Sequence, residues 1–555
     1  MQYFISRHNP LSQYIQLELR LHCHKDEVIS LQLPAWRPGR YELANYAQKI
    51  RKLEVKGNIK RLPVHKITKD LWTFTAEEEG IYCIQYEFHA SQMDAGGSWY
   101  DDEQVYLNFI NFIFEVKGRS EEEIKVHIDV PQEFKVATAL PKTEENLYIA
   151  ENFQHLVDSP LIASPSLAHY TYIIGTTTFH LWFQGEIHFD VEYLLPIFQK
   201  FTEKQIKAFG DFPASDYHFL FEILPYKHYH GVEHQFSTVI TLGPAEKLKE
   251  KDFLEKLIGV SSHELYHFWN VCRIRPKEIM PYDFSKEAYI DTGVVAEGVT
   301  TYMGDLFLLK SGYYSLEDYL KVLEKLLDRE FESNGWQNQS IVESSKDLWL
   351  DGYKAGIPDK KVSIYNRGAL ISLCLDLILL DQGSSLHEVM SKMWLKFGKT
   401  MTGYTLLDYK STISSFINSP EMIDDFFEKF IWGTEDLLPL LKYQLSSIGI
   451  ETSVEERNSL LEGKIGIITD EVGSIVKIHT QAPAYTLLMI GDGIVEIEEN
   501  KFSPAIQSDK AEVKIKLNRF GRMIYVSIPI TKNYFFTNYK LTLNSSNAKR
   551  NKWMS

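Results

Sequence analysis

The residues of this chain best suited to chemistry lie in Ser262-His263-Glu264-Leu265-Tyr266-His267-Phe268-Trp269-Asn270. Two histidines four positions apart share one face of a helix, because four steps of about 100° return nearly to the starting direction. Both imidazoles can therefore reach a single ion, and zinc is the ion this pattern suits. Glu264, beside the first histidine, is placed to take a proton from water activated by that ion. Upstream, Phe253, Leu254, Leu257 and Ile258 recur at helical spacing with no proline or glycine before Gly259. The motif thus lies on a helix, with Ser261 or Ser262 as its expected cap. The competing reading is a surface helix with two incidental histidines. A third ligand separates the two, since catalytic zinc takes three protein ligands and keeps one position open. Glu297, thirty residues after His267 in the apolar run Val295-Ala296-Glu297-Gly298-Val299-Thr300-Thr301-Tyr302, is the candidate. A carboxylate buried there needs a partner, and a cation supplies one; the alternative is an ordinary salt bridge.

These residues, read together as His263-Glu264-x-x-His267-x-Trp269-Asn270-Val271-x-Arg273-Ile274-Arg275-Pro276 and Glu297-Gly298-x-Thr300-x-Tyr302, resemble the M61 family of glycyl aminopeptidases. Those are gluzincin metallopeptidases with a C-terminal PDZ domain. The resemblance implies Zn2+ on His263, His267 and Glu297, with Glu264 catalytic. Two positions depart from the family pattern. Cys272 stands where lysine is usual, and Gly293-Val294 stands where Leu-Trp usually precedes the third ligand, so packing around the motif helix is expected to differ.

Composition bounds the alternatives. A chain of 555 residues is long enough for three domains of ordinary size. Apolar residues make up 44% and charged residues 24%, values typical of globular proteins. A net charge of −16 disfavours nucleic acid and anionic membrane as partners, and no basic stretch is interleaved with aromatics. The four cysteines, Cys23, Cys83, Cys272 and Cys374, lack CxxC spacing and read as free thiols of a reducing compartment. The amino-terminal residues show no signal-peptide pattern, and the longest apolar stretch, Ala369 to Leu380, is too short to span a bilayer and contains Asp376. A cytoplasmic location is the resulting expectation.

The expected fold is multidomain α+β. Residues 1–170 alternate with period two, as in Tyr14 to Leu21, Val28 to Leu33 and Ile81 to Phe88, and predict an antiparallel β-sandwich. Within it, Leu33-Pro34-Ala35-Trp36-Arg37-Pro38-Gly39-Arg40-Tyr41 is either a packed turn or a substrate contact, and Asp94 to Asp102 reads as a solvated turn. Residues 171–444 form the catalytic domain, which the resemblance makes thermolysin-like: a β-sheet plus a helical subdomain, with helical spacing over Leu316 to Leu327, Leu386 to Phe397 and Met422 to Phe430. Upstream of the motif helix, Glu233 is placed to bind a positive charge, such as a substrate's free α-amine. Gly231-x-Glu233-His234 is similar to the end of the family's Gly-Gly-x-Glu-His segment, which makes Gly231 and Glu233 the substrate-binding candidates. His230 replaces the first glycine and is expected to narrow the first subsite. The alternatives are an edge-strand glutamate, or a second metal site from His228, His230 and His234.

Tyr365, in Ser363-Ile364-Tyr365-Asn366-Arg367-Gly368, precedes a long apolar helix, where a phenol can donate to a developing oxyanion; the alternative is a core tyrosine. The segment is similar to the family's Tyr-x-Lys-Gly, with Arg367 for lysine. Ser345, Asp347, Trp349 and Tyr353 also match a family segment, of no evident role. Residues 445–555 are expected to form a PDZ-like domain, on Gly473 to Ile478, Ala482-Pro483-Ala484 and Gly491 to Ile497, followed by the polar tail Asn544 to Ser555. Such a unit either captures peptide C-termini by strand addition or caps the structure. The function expected is a zinc aminopeptidase acting on peptides with a free N-terminus, by resemblance preferring glycine or alanine first. A zinc endopeptidase of the same fold and a non-catalytic peptide-binding PDZ protein are the alternatives.

Overall fold

A computed structural model describes residues 1–57, 60–354, 356–498, 512–544 and 547–555. The alternating amino-terminal segments become strands Tyr14–Cys23, Val28–Gln32 and Gly80–His89, each turning every second residue inward. One eight-stranded and two four-stranded sheets share a single apolar core that includes Ile15, Leu17, Ile29, Phe74 and Leu161. The pairing is not wholly antiparallel. Gln2–Arg7 runs parallel to Ile124–Ile128, with Gln2 opposite Lys125. A parallel pair needs a long return path, and more than a hundred residues of sandwich supply it here, which no local pattern reveals. The loop Asp94 to Asp102 also differs from its expected solvation: Ala95 through Ser98 are buried, with Asn108 Nδ2 donating to the Gly97 carbonyl at 2.5 Å and Asn111 Nδ2 to that of Gly96 at 3.1 Å.

A five-stranded sheet follows, ordered Ala168–Ile174, Thr177–Gly185, Asp216–Ile223, Ser237–Gly243 and His228–Glu233. Its middle pairs are parallel and its outer pairs antiparallel. The helix Val191–Phe209 makes the crossover, and Phe198 packs edge-on against Phe219 at 5.2 Å. His228–Glu233 is left as an edge strand, against which the motif helix Lys251–Tyr266 lies. Helices Leu316–Phe331, Asn366–Asp381, Leu386–Met393 and Pro420–Phe430 build the other half. Asn366–Asp381 is apolar on all sides and buried almost throughout, as a central helix must be. Its Asp376 is satisfied by the Tyr302 hydroxyl at 2.6 Å and the Leu386 N–H at 2.7 Å. Among the described residues no single helix is long and apolar enough to cross a membrane.

In the third unit, strands Ile467–Thr469, Ile475–Ile478, Gly493–Glu498, Glu512–Arg519 and Arg522–Pro529 surround a small core of Ile467, Ile475, Ile515, Leu517 and Ile528. Its root is Ile450–Glu456 paired with Thr537–Leu543, fixed to helix Leu316–Phe331 where Asp328 and Glu324 accept from the N–H groups of Tyr539 and Leu541 at 2.6 and 2.8 Å. The tail Asn544 to Ser555, of which 545 and 546 lie outside the described residues, is no mere polar tail. Ala548–Met554 is a helix capped by Asn547, and its Trp553, 2% exposed, donates to the Tyr302 hydroxyl at 2.9 Å. One apolar anchor in a two-turn helix leaves no periodicity to read. Trp553→Ala removes that anchor, and about 3–5 kcal/mol of stability should go with it. Scanning calorimetry is expected to show a clearly lowered unfolding temperature for the catalytic region; an unchanged transition would make the tail peripheral.

Candidate active site

The motif helix starts well before the expected serine cap. Ser261 and Ser262 are buried within it, Ser261 Oγ donating back to the Leu257 carbonyl and Ser262 Oγ across to that of Gly304, both at 2.7 Å. His263 lies in the last turn and His267 caps the end. Their Nε2 atoms are 3.1 Å apart, and each is 3.5 Å from Glu297 Oε2. Three tetrahedral ligands of zinc stand about 3.4 Å from one another. The triangle therefore fits one such ion. The His267 Nδ1–H donates to the Asn270 carbonyl at 2.6 Å, which turns its Nε2 toward the triangle.

Two features bring Glu297 within reach. It sits in a π-helical turn, Val294–Val299, which leads into helix Thr300–Lys310. Gly298 meets Gly368 so closely that a Cβ on it would lie 2.5 Å from the Gly368 Cα, so any side chain would push the Tyr365 helix away. Asn270 then ties the two ligand segments together, donating from Nδ2 to the Val295 carbonyl at 2.8 Å and to Thr300 Oγ1 at 3.0 Å. The sequence positions Asn270, Gly298 and Thr300 thus have structural reasons.

Glu264 is 5% exposed, and a Cβ on Gly231 would collide with its Oε1. Glu233, Glu264 and His267 form a second close group, their ligand atoms within 4.8 Å of one another. Burial lifts Glu264 well above the usual carboxylate range, with Glu233 and Glu297 adding to it, and burial likewise raises Glu233. Burial works against a charged His267, but Glu297, Glu233 and Glu264 carry its pKa up to about 10. Glu297 is also opposed by burial, yet the two histidines hold it far below the usual range. Glu264 Oε2 and Glu297 Oε2 are buried without a hydrogen-bond donor. Three carboxylates and two imidazoles so arranged can hold a cation, and the donor set of His263, His267 and Glu297 suits zinc.

Tyr365 stands at the start of helix Asn366–Asp381, its hydroxyl free of hydrogen bonds among the described residues. After burial, the groups that raise its pKa are Glu297, Tyr353, Glu233 and Tyr41, so the carboxylates of the cluster are among the charges it feels. Arg367 points elsewhere: buried, it pairs with Glu330 at 3.1 Å and donates to the Glu435 carbonyl.

The opposite wall comes from the amino-terminal sandwich. Gly39, at φ +73°, faces Glu233, and a Cβ there would lie 2.5 Å from Glu233 Oε2. The Tyr353 hydroxyl holds this turn by donating to the Gly39 carbonyl at 3.2 Å and accepting from the Tyr41 N–H at 3.3 Å, while Trp349 packs edge-on against Trp36 at 5.4 Å. Tyr353 and Trp349 therefore have the role that their sequence does not disclose. Arg37, 6% exposed, reaches His230 Nε2 at 3.3 Å. Burial and then Arg37 drive the pKa of His230 down to about 3, so the neutral ring accepts from the guanidinium. Asp158 bonds His234 Nδ1 and the Gln235 N–H, both at 2.9 Å, and so fixes the chain just past Glu233. With His230 on Arg37 and His234 on Asp158, the second metal site is not formed. These residues escape sequence reading because each partner lies on a distant segment.

The family profile of the Peptidase M61 N-terminal domain matches residues 2–165, and that of M61 glycyl aminopeptidase matches residues 256–371. Among solved structures, an aminopeptidase N family protein from Idiomarina loihiensis is 25% identical, with TM-score 0.89 and 100% of both chains covered. An M1 zinc metallopeptidase from Deinococcus radiodurans is 14% identical with TM-score 0.51, over 78% of this chain and 94% of that one. A mutant of an M1 zinc metallopeptidase from the same organism, bound to a Tyr-Ser-Ala substrate, is 15% identical with TM-score 0.50, over 79% and 94%. These last two show a common fold. No curated protein sequence matches.

The Asn270 bonds imply that its side chain orients both ligand segments. Asn270→Ala should weaken metal binding about 10- to 100-fold, measured by competition with a chromogenic chelator. Unchanged affinity would show that the triangle holds its shape without it.

Proposed function

The chain belongs to the M61 peptidase family, and from that premise we propose that it is a zinc-dependent aminopeptidase that removes small first residues, glycine or alanine, from peptides. The observation that carries the reading is Glu233, a buried carboxylate beside Glu264 and His267 and walled in by Gly39. It closes the cleft on one side with negative charge, where a substrate's α-amine can be held and only the first peptide bond presented. The closeness of Gly39 to Glu233 leaves little room for a large first side chain, which supports the small-residue preference. Endopeptidase action would leave that carboxylate without a use.

His263, His267 and Glu297 hold the metal in this reading. A bound zinc would polarise both the attacking water and the scissile carbonyl. Glu264, freed of steric conflict by Gly231, takes the water's proton and delivers it to the departing amine. Tyr365 donates its hydroxyl hydrogen bond to the oxygen on which negative charge develops, and Glu233 orients the substrate. The sandwich residues Arg37 and Gly39, with Tyr353 of the helical half, narrow solvent access on the amine side. The strand Ile475–Ile478 and the Pro-Ala turn after it support a PDZ-like unit, and we place the protein in a reducing, cytoplasmic setting on the scattered spacing of its four cysteines.

Glu264→Gln should lower turnover of alanyl chromogenic amides by about 10²- to 10⁴-fold with metal content intact. Glu233→Gln should raise KM for the free amines, and amino-acetylated amides should be refused by the wild type. Equal cleavage of free and acetylated amides would replace the aminopeptidase reading with the endopeptidase one.

A further inference from the structure

The edge strand His228–Glu233 gives the cleft a direction. Glu233 lies at one end against Gly39, and Gly231 passes over Glu264 at the reacting centre. Tyr229, 57% exposed, comes next, four residues and about 13 Å from Glu233 along the strand. After burial, the charges that act on the Tyr229 phenol belong to Asp305, Glu264 and Arg329. Arg329, on helix Leu316–Phe331, and Asp305 are thus among the charged groups that face Tyr229, at the end of the strand away from Glu233, the direction in which the part of a peptide beyond the first bond would run.

Arg329 also lines a cavity of about 350 Å³, together with Trp336, Lys361, Ser363, Asn366 and Ile478. Ser363 and Asn366 bracket Tyr365 in the chain, so this space adjoins the candidate oxyanion donor. Its outer wall is the strand Ile475–Ile478 of the third unit. That strand is fastened to the catalytic helices by Lys477 on Glu332 at 2.9 Å, and the residues after it by Asn334 Nδ2 on Thr480 Oγ1 at 3.2 Å. The charged groups around the cavity are nearly all committed. Lys361 donates to the carbonyls of Asp351 and Gly352, Lys477 pairs with Glu332, Glu330 pairs with Arg367, and Asp359 accepts from the Asn334 N–H. Arg329 alone among the cations lining the cavity has no hydrogen bond or ion pair among the described residues.

We propose that this cavity is the subsite for the leaving part of the substrate, and that Arg329 receives the terminal carboxylate of a short peptide. The inference rests on the aminopeptidase reading, in which Glu233 holds the amine. A cleft with an anion at one end and, at the other, a cation that makes no hydrogen bond or ion pair among the described residues and has the Asp305 carboxyl near it matches a zwitterionic peptide. At about 3.3 Å per extended residue, the span from Glu233 past Tyr229 fits roughly three to five residues. The apolar faces of Trp336 and Ile478 receive the side chains, and the third unit becomes a wall of the active site that limits peptide length.

The test compares tetra-alanine as free acid and as C-terminal amide, with an alanyl chromogenic amide as reference, on the metal-loaded full chain. The wild type should prefer the acid by about tenfold in kcat/KM, carried by KM, as a charge-assisted hydrogen bond implies. Arg329→Gln should bring the ratio of acid to amide to about one, and Arg329→Lys should restore part of it. Equal rates on acid and amide by a wild type that cleaves the chromogenic amide would overturn this inference alone, as would an unchanged ratio in Arg329→Gln. No turnover of the chromogenic amide would overturn the aminopeptidase reading and this inference with it.

Discussion

The centre of this structure depends on the confinement of negative charge around two histidines. Glu233, Glu264 and Glu297 are each about 95% buried and crowd around His263 and His267, an arrangement no isolated carboxylate would accept. Confinement of that kind is favoured when a cation completes it and packing prevents the acids from moving apart. The motif helix, the π turn and the Tyr365 helix supply the packing, with Gly298 and Gly368 in contact and Asn270 bridging the two ligand segments. In the function proposed, the same charge that recruits a metal ion also leaves Glu264 as proton acceptor and Glu233 as anchor for a cationic substrate group.

The surrounding parts follow from the need to hold this cluster from every side. The amino-terminal sandwich carries its turn at Gly39 to within contact of Glu233, and Tyr353 and Trp349 of the helical half grip that turn. The carboxyl-terminal helix returns to the same core, where Trp553 joins Tyr302 and Asp376 in a buried chain of hydrogen bonds. Tyr302 stands five residues beyond Glu297, and Asp376 lies on the helix that Tyr365 begins. The first and last segments of the chain thus both act on the ligand helices, so the three units are interdependent.

What the sequence discloses is what depends on local spacing. The histidine pair, Glu297 in its apolar run, the alternating strands and the helical stretches are all local patterns, whereas Glu233 and Tyr365 are singled out chiefly by resemblance to a family; the structure brings His263, His267 and Glu297 together, and Glu233 and Glu264 beside His267. What it conceals depends on contacts between distant segments. Arg37 on His230, Asp158 on His234, the parallel pairing of Gln2–Arg7 and the burial of the Asp94 to Asp102 loop have no periodic signature. Ser261 and Ser262 mislead for a different reason: serine favours caps, but here both hydroxyls bond to carbonyls within and across buried helices.

The account stands on one zinc held by His263, His267 and Glu297, with Glu233 and Glu264 left free for substrate and proton. Anomalous diffraction from crystals of the zinc-loaded protein, collected on either side of the zinc edge, measures this directly. The account predicts a single peak per chain, ligated by His263 Nε2, His267 Nε2 and the Glu297 carboxylate. A peak centred among Glu233, Glu264 and His267, or no peak at all, would contradict it.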